Sequence, residues 1–155
     1  MKEILLTQGQ VALVDDEDYE RVSKYKWCMC GRYAGRKLPR VKGQPRRSEL
    51  LHRAIMGAEK GQEIDHINRN RLDCRRSNLR FCTRPQNLAN SDKGRRYSRF
   101  KNVHLDKRNG RWRVTIRING KRVFLGSYAT DVEAALAHDD AARQAHGEFA
   151  YCNFR

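Results

Sequence analysis

Two short apolar runs open the chain, Glu3–Thr7 and Val11–Val14, with Gln8-Gly9-Gln10 between them; the pattern predicts two strands joined by a turn. Asp15-Asp16-Glu17-Asp18 follows, and Tyr19, Val22 and Tyr25 then recur at helical spacing. Carboxylates in a first turn complement the helix dipole, so these four residues are read as capping a helix rather than binding a metal. Trp27–Ala34 reads as a further strand, the basic Gly/Pro-containing stretch Arg36–Arg47 as a loop or long hairpin, and Ser48–Gly57 as a helix with a Ser N-cap and a Gly stop. From Glu63 the order is strand, long polar Arg-rich loop, strand and helix; the last opens with Thr83 and Gln86 in capping-box spacing, with Pro85 in its first turn. Beyond a polar, basic hinge at Tyr97–Phe100, strict alternation takes over. Val103 and Leu105, then Trp112, Val114 and Ile116, then Val123 and Leu125 mark three strands; Arg108-Asn109-Gly110 and Asn119-Gly120 are the turns. Thr130 and Glu133 form a second capping box, opening an Ala-rich helix that stops near Gly147.

Charge narrows what such a chain can do. The 155 residues hold 33 Lys+Arg against 18 Asp+Glu, a net of +15, which calls for a polyanionic partner. No apolar run reaches the length of a membrane span and no signal-peptide core is present, so an anionic membrane is the weaker choice and nucleic acid the stronger. The excess is uneven. Residues 1–35 carry five basic and six acidic side chains, residues 36–97 seventeen and six, and residues 98–155 eleven and six. Five scattered cysteines (28, 30, 74, 82 and 152) form no C-x-x-C pair and no zinc quartet, which suits a reducing compartment. Cys28 and Cys30 project from one strand face without a case for a metal.

The densest chemistry lies in the middle: Glu63-Ile64-Asp65-His66-Ile67-Asn68, then Ser77-Asn78-Leu79-Arg80, then Gln86-Asn87. With the preceding Leu51-His52-Arg53, this stretch resembles the HNH endonuclease family over residues 51–90, in particular the His-Asn-Asn variant of phage and intron-encoded homing endonucleases. The resemblance implies a ββα-metal core and phosphodiester hydrolysis, which requires an activated water, neutralised phosphoryl charge and a stabilised leaving oxygen. An imidazole with an ordinary pKa near ~6.5 accepts a proton from water at neutral pH, so His66 is the expected base. Asp65 and Asn87 offer one anionic and one neutral oxygen, a sparse set suited to Mg2+ or Mn2+ that keeps several waters. Asn78 is implied to brace the loop and orient His66. Asn87 stands where the family motif's name has a final histidine, which argues against tight zinc binding.

Each residue alone has a structural reading: Asp65 caps a turn, His66 is a satisfied loop histidine, Asn78 and Asn87 are caps. Four elements in order and at the right spacing favour the site reading. His52 divides between packing or support of the site and DNA contact. Arg80, two residues after Asn78, is a candidate phosphate contact.

Residues 98–154 resemble the AP2 DNA-binding domain through Gly110-Arg111-Trp112, Arg122-Val123-Phe124-Leu125-Gly126, Ala134-Ala135, Asp139, Ala141-Ala142, Gly147 and Asn153-Phe154. That family reads the major groove with one sheet face. By position this implies His104, Arg111, Arg113, Thr115, Arg117, Arg122 and Phe124 as DNA contacts, with Trp112 assigned to the core. A solvated basic sheet is the plainer alternative. His138 and His146 belong to the helix and carry no chemistry.

The expected architecture is α+β in three parts: a β-rich N-terminal unit with a basic loop (1–50), a ββα-metal nuclease core (51–96) and a three-stranded antiparallel sheet with a helix (97–155). The expected activity is metal-dependent cleavage of double-stranded DNA by a monomer or dimer with one divalent ion per site and no small-molecule cofactor, in an intracellular (cytoplasmic) phage or bacterial setting. A non-catalytic DNA-binding regulator is the main rival, and an RNA-binding protein the next, although the RNP-type aromatic pattern is missing.

Overall fold

In the computed structural model, residues 1–91 and 98–154 are described, and Tyr97 of the expected hinge lies outside them. Among the described residues the fold is α+β, built from short strands in small antiparallel sheets and four helices. The chain divides into two compact units, Met1–Cys82 and Thr83–Arg155.

In the first unit, β1 (Lys2–Leu5) and β2 (Val11–Val14) form the expected hairpin, pairing from Lys2↔Val14 to Leu5↔Val11. Alternation buries Ile4, Ala12 and Val14 on one face. α1 (Asp16–Val22) is shorter than the pattern suggested, and Tyr25 lies beyond its end with the Arg36 guanidinium stacked 3.5 Å over its ring. The expected strand over Trp27–Ala34 is instead a hairpin. β3 (Cys28–Cys30) turns at Gly31, whose φ of 64° suits a residue without Cβ, and returns as β4 (Tyr33–Lys37). The basic stretch is a long hairpin, because β5 (Ser48–Leu50) pairs back onto β4 through Gly35↔Leu50, Arg36↔Glu49 and Lys37↔Ser48. Ser48 therefore opens a strand rather than a helix. α2 (Leu51–Met56) starts after Leu50, with no side-chain cap, and ends at Gly57 as expected.

β6 (Glu63–His66) and β7 (Leu79–Cys82) form the two-stranded element of the central motif, in the register Glu63↔Cys82 to His66↔Leu79. One core joins the whole unit: Leu6, Val14 and Trp27 pack with Leu51, Ile55, Ile64 and Leu79. The boundary expected between residues 50 and 51 falls inside this core. The N-terminal hairpin also holds the loop between β6 and β7, since Leu13 N–H donates to the Leu72 carbonyl at 2.8 Å and Cys74 N–H to the Leu13 carbonyl at 2.8 Å.

The second unit begins with α3 (Arg84–Asn90), capped by the reciprocal Thr83–Gln86 box. β8 (Val103–Asp106), β9 (Arg111–Ile118) and β10 (Lys121–Tyr128) form a sheet in the order β10-β9-β8, covered by α4 (Asp131–His146) with its Thr130–Glu133 box. Val103, Val114, Ala134 and Ala135 are its buried centre, with Trp112 and Leu125 packed against them. Leu105 and Val123 share the apolar alternation but are exposed. The alternation also breaks at Leu125, where the register shifts between Phe124↔Thr115 and Gly126↔Val114. His138 is buried as a bridge, 3.1 Å from the Asn102 amide and 3.0 Å from Asp139. Among the described residues, no helix is long and apolar enough to cross a membrane.

Candidate active site and nucleic-acid face

Asp65 and His66 end β6, and both are about 5 % exposed. Strand alternation places Asp65 opposite Arg80 on β7, and the two side chains meet: the Arg80 guanidinium donates to Asp65 Oδ2 from Nε at 3.0 Å and from Nη2 at 2.8 Å. Arg80, the expected phosphate contact, thus pairs with the carboxylate across the strand pair.

His66 sits among rings. Its centroid lies 4.9 Å from that of His52, with the planes at 77°, and 5.9 Å from that of Tyr33. Tyr33 in turn lies 5.2 Å from His52, and the Arg71 guanidinium stands over the Tyr33 ring, 5.4 Å from its centroid. Burial pushes the His66 imidazole down to about 4, against the opposing influence of Asp65, so at neutral pH it is an uncharged base. Burial, His66 and Arg53 push His52 lower still, to about 3. His52 Nδ1 is buried and makes no hydrogen bond to any described residue. Tyr33 carried no signal in the sequence, because its partners come from α2 and β6 and only the tertiary fold assembles the three rings.

Asn78, at the end of a short 3-10 turn (Arg76–Asn78), clamps the loop from both sides. Its Oδ1 accepts from Asn68 N–H at 2.9 Å, and its Nδ2 donates to the Asp73 carbonyl at 2.8 Å. Its own carbonyl accepts from Ile67 N–H at 2.9 Å. The buried Asp73 carboxylate receives Asn68 Nδ2 at 2.8 Å and Arg75 at 2.6 and 2.7 Å, and the Arg75 bonds hold its pKa below the usual range. The rigid loop fixes the backbone immediately after His66.

The acidic first turn of α1 belongs to this scaffold too. Asp15 accepts from Arg76 N–H at 2.7 Å, and the buried Asp18 receives Arg76 Nε at 2.7 Å and Arg21 Nη2 at 2.7 Å. The acidic residues do fill the first turn of α1, as expected, but Asp15 makes no side-chain cap bond, and Asp18 in addition grips an arginine 58 residues downstream. Asp15, Glu17 and Asp18 lie close enough to hold an ion, but Arg76 already supplies their countercharge. Cys28 and Cys30 share a face with sulfurs 4.0 Å apart.

Asn87, half-buried on α3, belongs to the second unit. Each by itself, the Asp65 carboxylate and the Asn87 amide oxygen are donor types that suit a hard divalent cation.

The outer face of the C-terminal sheet presents the expected row. Cross-strand register places His104 beside Arg113, Phe124 beside Thr115 and Arg122 directly opposite Arg117. The Arg113 guanidinium stands 5.1 Å over the Phe124 ring, and Arg111 donates to the Ser127 carbonyl at 2.9 Å. His104, Arg113, Thr115, Arg122 and Phe124 line a hollow of about 630 Å³. Sequence reasoning missed Asp106 there: it binds Arg108 at 3.0 Å and lies 3.7 Å from Arg113, and the Arg108 bonds pull its pKa down to about 2.

Residues 49–89 match the family model described as HNH endonuclease. Over 148 residues the chain is 28 % identical to an uncharacterized HNH endonuclease of Acanthamoeba polyphaga mimivirus, covering 94 % of this chain and 76 % of that protein. It is also 50 % identical over 46 residues to dehydration-responsive element-binding protein 2E of Oryza sativa subsp. japonica, covering 28 % of this chain and 14 % of that one. An AP2-like ethylene-responsive transcription factor of Arabidopsis thaliana is 44 % identical over 59 residues, 37 % of this chain and 17 % of that one. The chain carries an HNH endonuclease domain and an AP2-like domain. It spans less than a fifth of the length of either plant relative, so the likeness to them concerns a short stretch of each. No solved structure matches the chain. In the HNH domain, Asp65, His66, Asn78 and Arg80 all lie within the matched stretch, as does Asn87.

Proposed function

We propose that this protein is a divalent-metal-dependent endonuclease that hydrolyses phosphodiester bonds in duplex DNA, with an AP2-like sheet directing it to its target in the manner of a homing endonuclease. The observation that carries the reading is the buried His66 beside the Asp65 carboxylate, on a strand pair within the stretch that matches the HNH endonuclease family model. His66 takes a proton from the water that attacks the phosphorus. Asn78 holds the loop that fixes the backbone next to His66, and Arg80 holds Asp65 in place. A single Mg2+ or Mn2+ held by Asp65 and Asn87 would supply charge stabilisation for the phosphoryl oxygens and the leaving 3′ oxygen. His104, Arg111, Arg113, Thr115, Arg117, Arg122 and Phe124 contact the target duplex. The ends are a 5′ phosphate and a 3′ hydroxyl, and one site per chain gives a nick unless a second event or a dimer cuts the other strand.

The plant relatives' names, a transcription factor and an element-binding protein, favour a second reading: a DNA-binding regulator that does not cut. Supercoiled plasmid incubated with the protein in Mg2+ or Mn2+, against an EDTA control, separates the two. Metal-dependent nicking that His66→Ala abolishes supports the enzyme. Binding without nicking in either metal supports the regulator.

A further inference from the structure

The ten residues between β4 and β5 take no part in the ring cluster or in the AP2-like face, yet they are the most one-sided charge in the first unit. Residues 36–47 contain six basic and no acidic side chains. Two of the six are neutralised or tethered at the base: Arg36 pairs with Glu49 at 2.6 Å, and Lys37 donates to Ser48 at 3.0 Å. Arg40, Lys42, Arg46 and Arg47 are exposed and make no ion pair with any described residue. The segment is a hairpin extension rather than a slack loop: Leu38 N–H donates to the Arg47 carbonyl at 3.0 Å, and Gln44 N–H to the Val41 carbonyl at 3.1 Å in a tip turn containing Gly43 at φ 79°. Exposed Val41 sits at that tip between the cations. A run of like charges with no internal countercharge repels itself, and an external polyanion relieves that repulsion.

The two strands that carry this extension lead back to the ring cluster around His66. β4 begins at Tyr33, whose ring is 5.9 Å from that of His66, and β5 runs directly into α2, which carries His52 at 4.9 Å. We propose that residues 38–47 are a DNA-gripping arm of the nuclease unit, binding the sugar-phosphate backbone of the same duplex that is cut. This rests on the endonuclease reading for the position of the cut, though not for the binding of the arm. Chain geometry limits its reach. Nine residues from Tyr33 to Lys42 span at most about 30 Å, and duplex DNA rises about 3.4 Å per base pair, so the arm meets phosphates no more than about nine base pairs from the cleaved bond. A two-stranded ribbon of this kind also fits the major groove.

The test uses the full chain. Affinity for a 40-base-pair random-sequence duplex is measured in EDTA across a salt series, for wild type, for R40Q/K42Q/R46Q/R47Q, and for the control K24Q/K26Q/K60Q, which removes exposed cations elsewhere on the unit. Each phosphate contact contributes about 0.9 to the slope of log affinity against log salt, so the arm variant is expected to lose about three to four from the slope and the control less than one. A loss below one in the arm variant, or the same loss per charge in the control, overturns the proposal. If the fourfold variant does not fold, R40Q and R46Q singly are each expected to lose about 0.9. A photo-cross-linker on V41C, used on a duplex whose nick has been mapped, is expected to mark DNA within about nine base pairs of the nick; marks only farther away overturn the placement. Wild type that binds with the arm-dependent slope but never nicks leaves the arm standing and removes the endonuclease reading.

Discussion

Arg80 and Asp65 face each other across the β6–β7 ladder, and the guanidinium meets a single carboxylate oxygen through both Nε and Nη2. Both side chains are largely buried, 13 % and 6 % exposed, so each would be costly without the other. Removing one partner of such a pair typically costs about 3–5 kcal/mol, because the remaining charge stays out of water. Arg80→Ala is therefore expected to lower the urea midpoint strongly. Asp65→Asn combined with Arg80→Gln should recover a good part of that loss. A double variant as unstable as the sum of the singles would show that the two residues do not act as a pair.

His66 as the base gives a prediction on rate rather than stability. His66→Ala should reduce nicking by about a hundred-fold or more, the usual worth of a positioned base, with duplex affinity in EDTA unchanged within about twofold. The imidazole sheds its proton well below neutrality, so the rate should have no histidine-type inflection between pH 6 and 8. Retained metal-dependent nicking by His66→Ala and by Asp65→Ala would remove both from the mechanism.

The two buried imidazoles predict acid sensitivity. His52 and His66 are pushed down to about 3 and about 4, from an ordinary value of 6.5. The unfolded chain thus binds protons that the folded chain refuses. Their contribution to stability is intact above pH 6.5 and is lost as pH falls toward 4 and below, at up to about 1.4 kcal/mol per pH unit for each ring. His52→Phe removes one such group and also a buried nitrogen without a hydrogen-bond partner among the described residues. It should raise Tm at neutral pH and flatten its decline between pH 6.5 and 4, measured by thermal unfolding at a series of pH values.

Much of this was legible in the chain because it is local. Thr83 with Gln86 and Thr130 with Glu133 form the two reciprocal caps expected of their spacing, and alternation located β8, β9 and β10. What escaped was set by distant partners. Gly31 converts one apparent strand into a hairpin, and pairing with β4 turns Ser48–Leu50 from a helix start into a strand. Asp18 looked like a dipole cap alone because its further partner, Arg76, is far along the chain. Tyr33 and Asp106 acquire meaning only from side chains that other elements bring to them.

Asp18 offers a direct check on that added role. Burial pushes its carboxyl up, but the bonds from Arg76 and Arg21 outweigh burial and leave its pKa lowered. If it were a helix cap alone, Asp18→Ala would cost about 1 kcal/mol. As the buried anchor of Arg76 it should cost about 3 kcal/mol or more, and loosen the loop that Asn78 braces. Hydrogen exchange at the Ile67 and Asn68 amides, which bond to Asn78, should accelerate in Asp18→Ala; unchanged protection there would confine Asp18 to α1.

Arg117 and Arg122 set stability against binding in the AP2-like sheet. They lie directly opposite one another on β9 and β10, an arrangement of like charges that weakens a sheet by about 0.2–1 kcal/mol. A free-standing sheet gains nothing from it, whereas a phosphate or guanine edge lying across both would relieve the repulsion. Arg122→Gln should therefore raise Tm slightly while weakening duplex binding and reducing its salt slope by about one if the contact is to phosphate. If it instead relaxes preference at one position of a selected target with the slope unchanged, Arg122 reads a base. A variant that is more stable and binds as tightly as wild type would leave this face a solvated basic sheet.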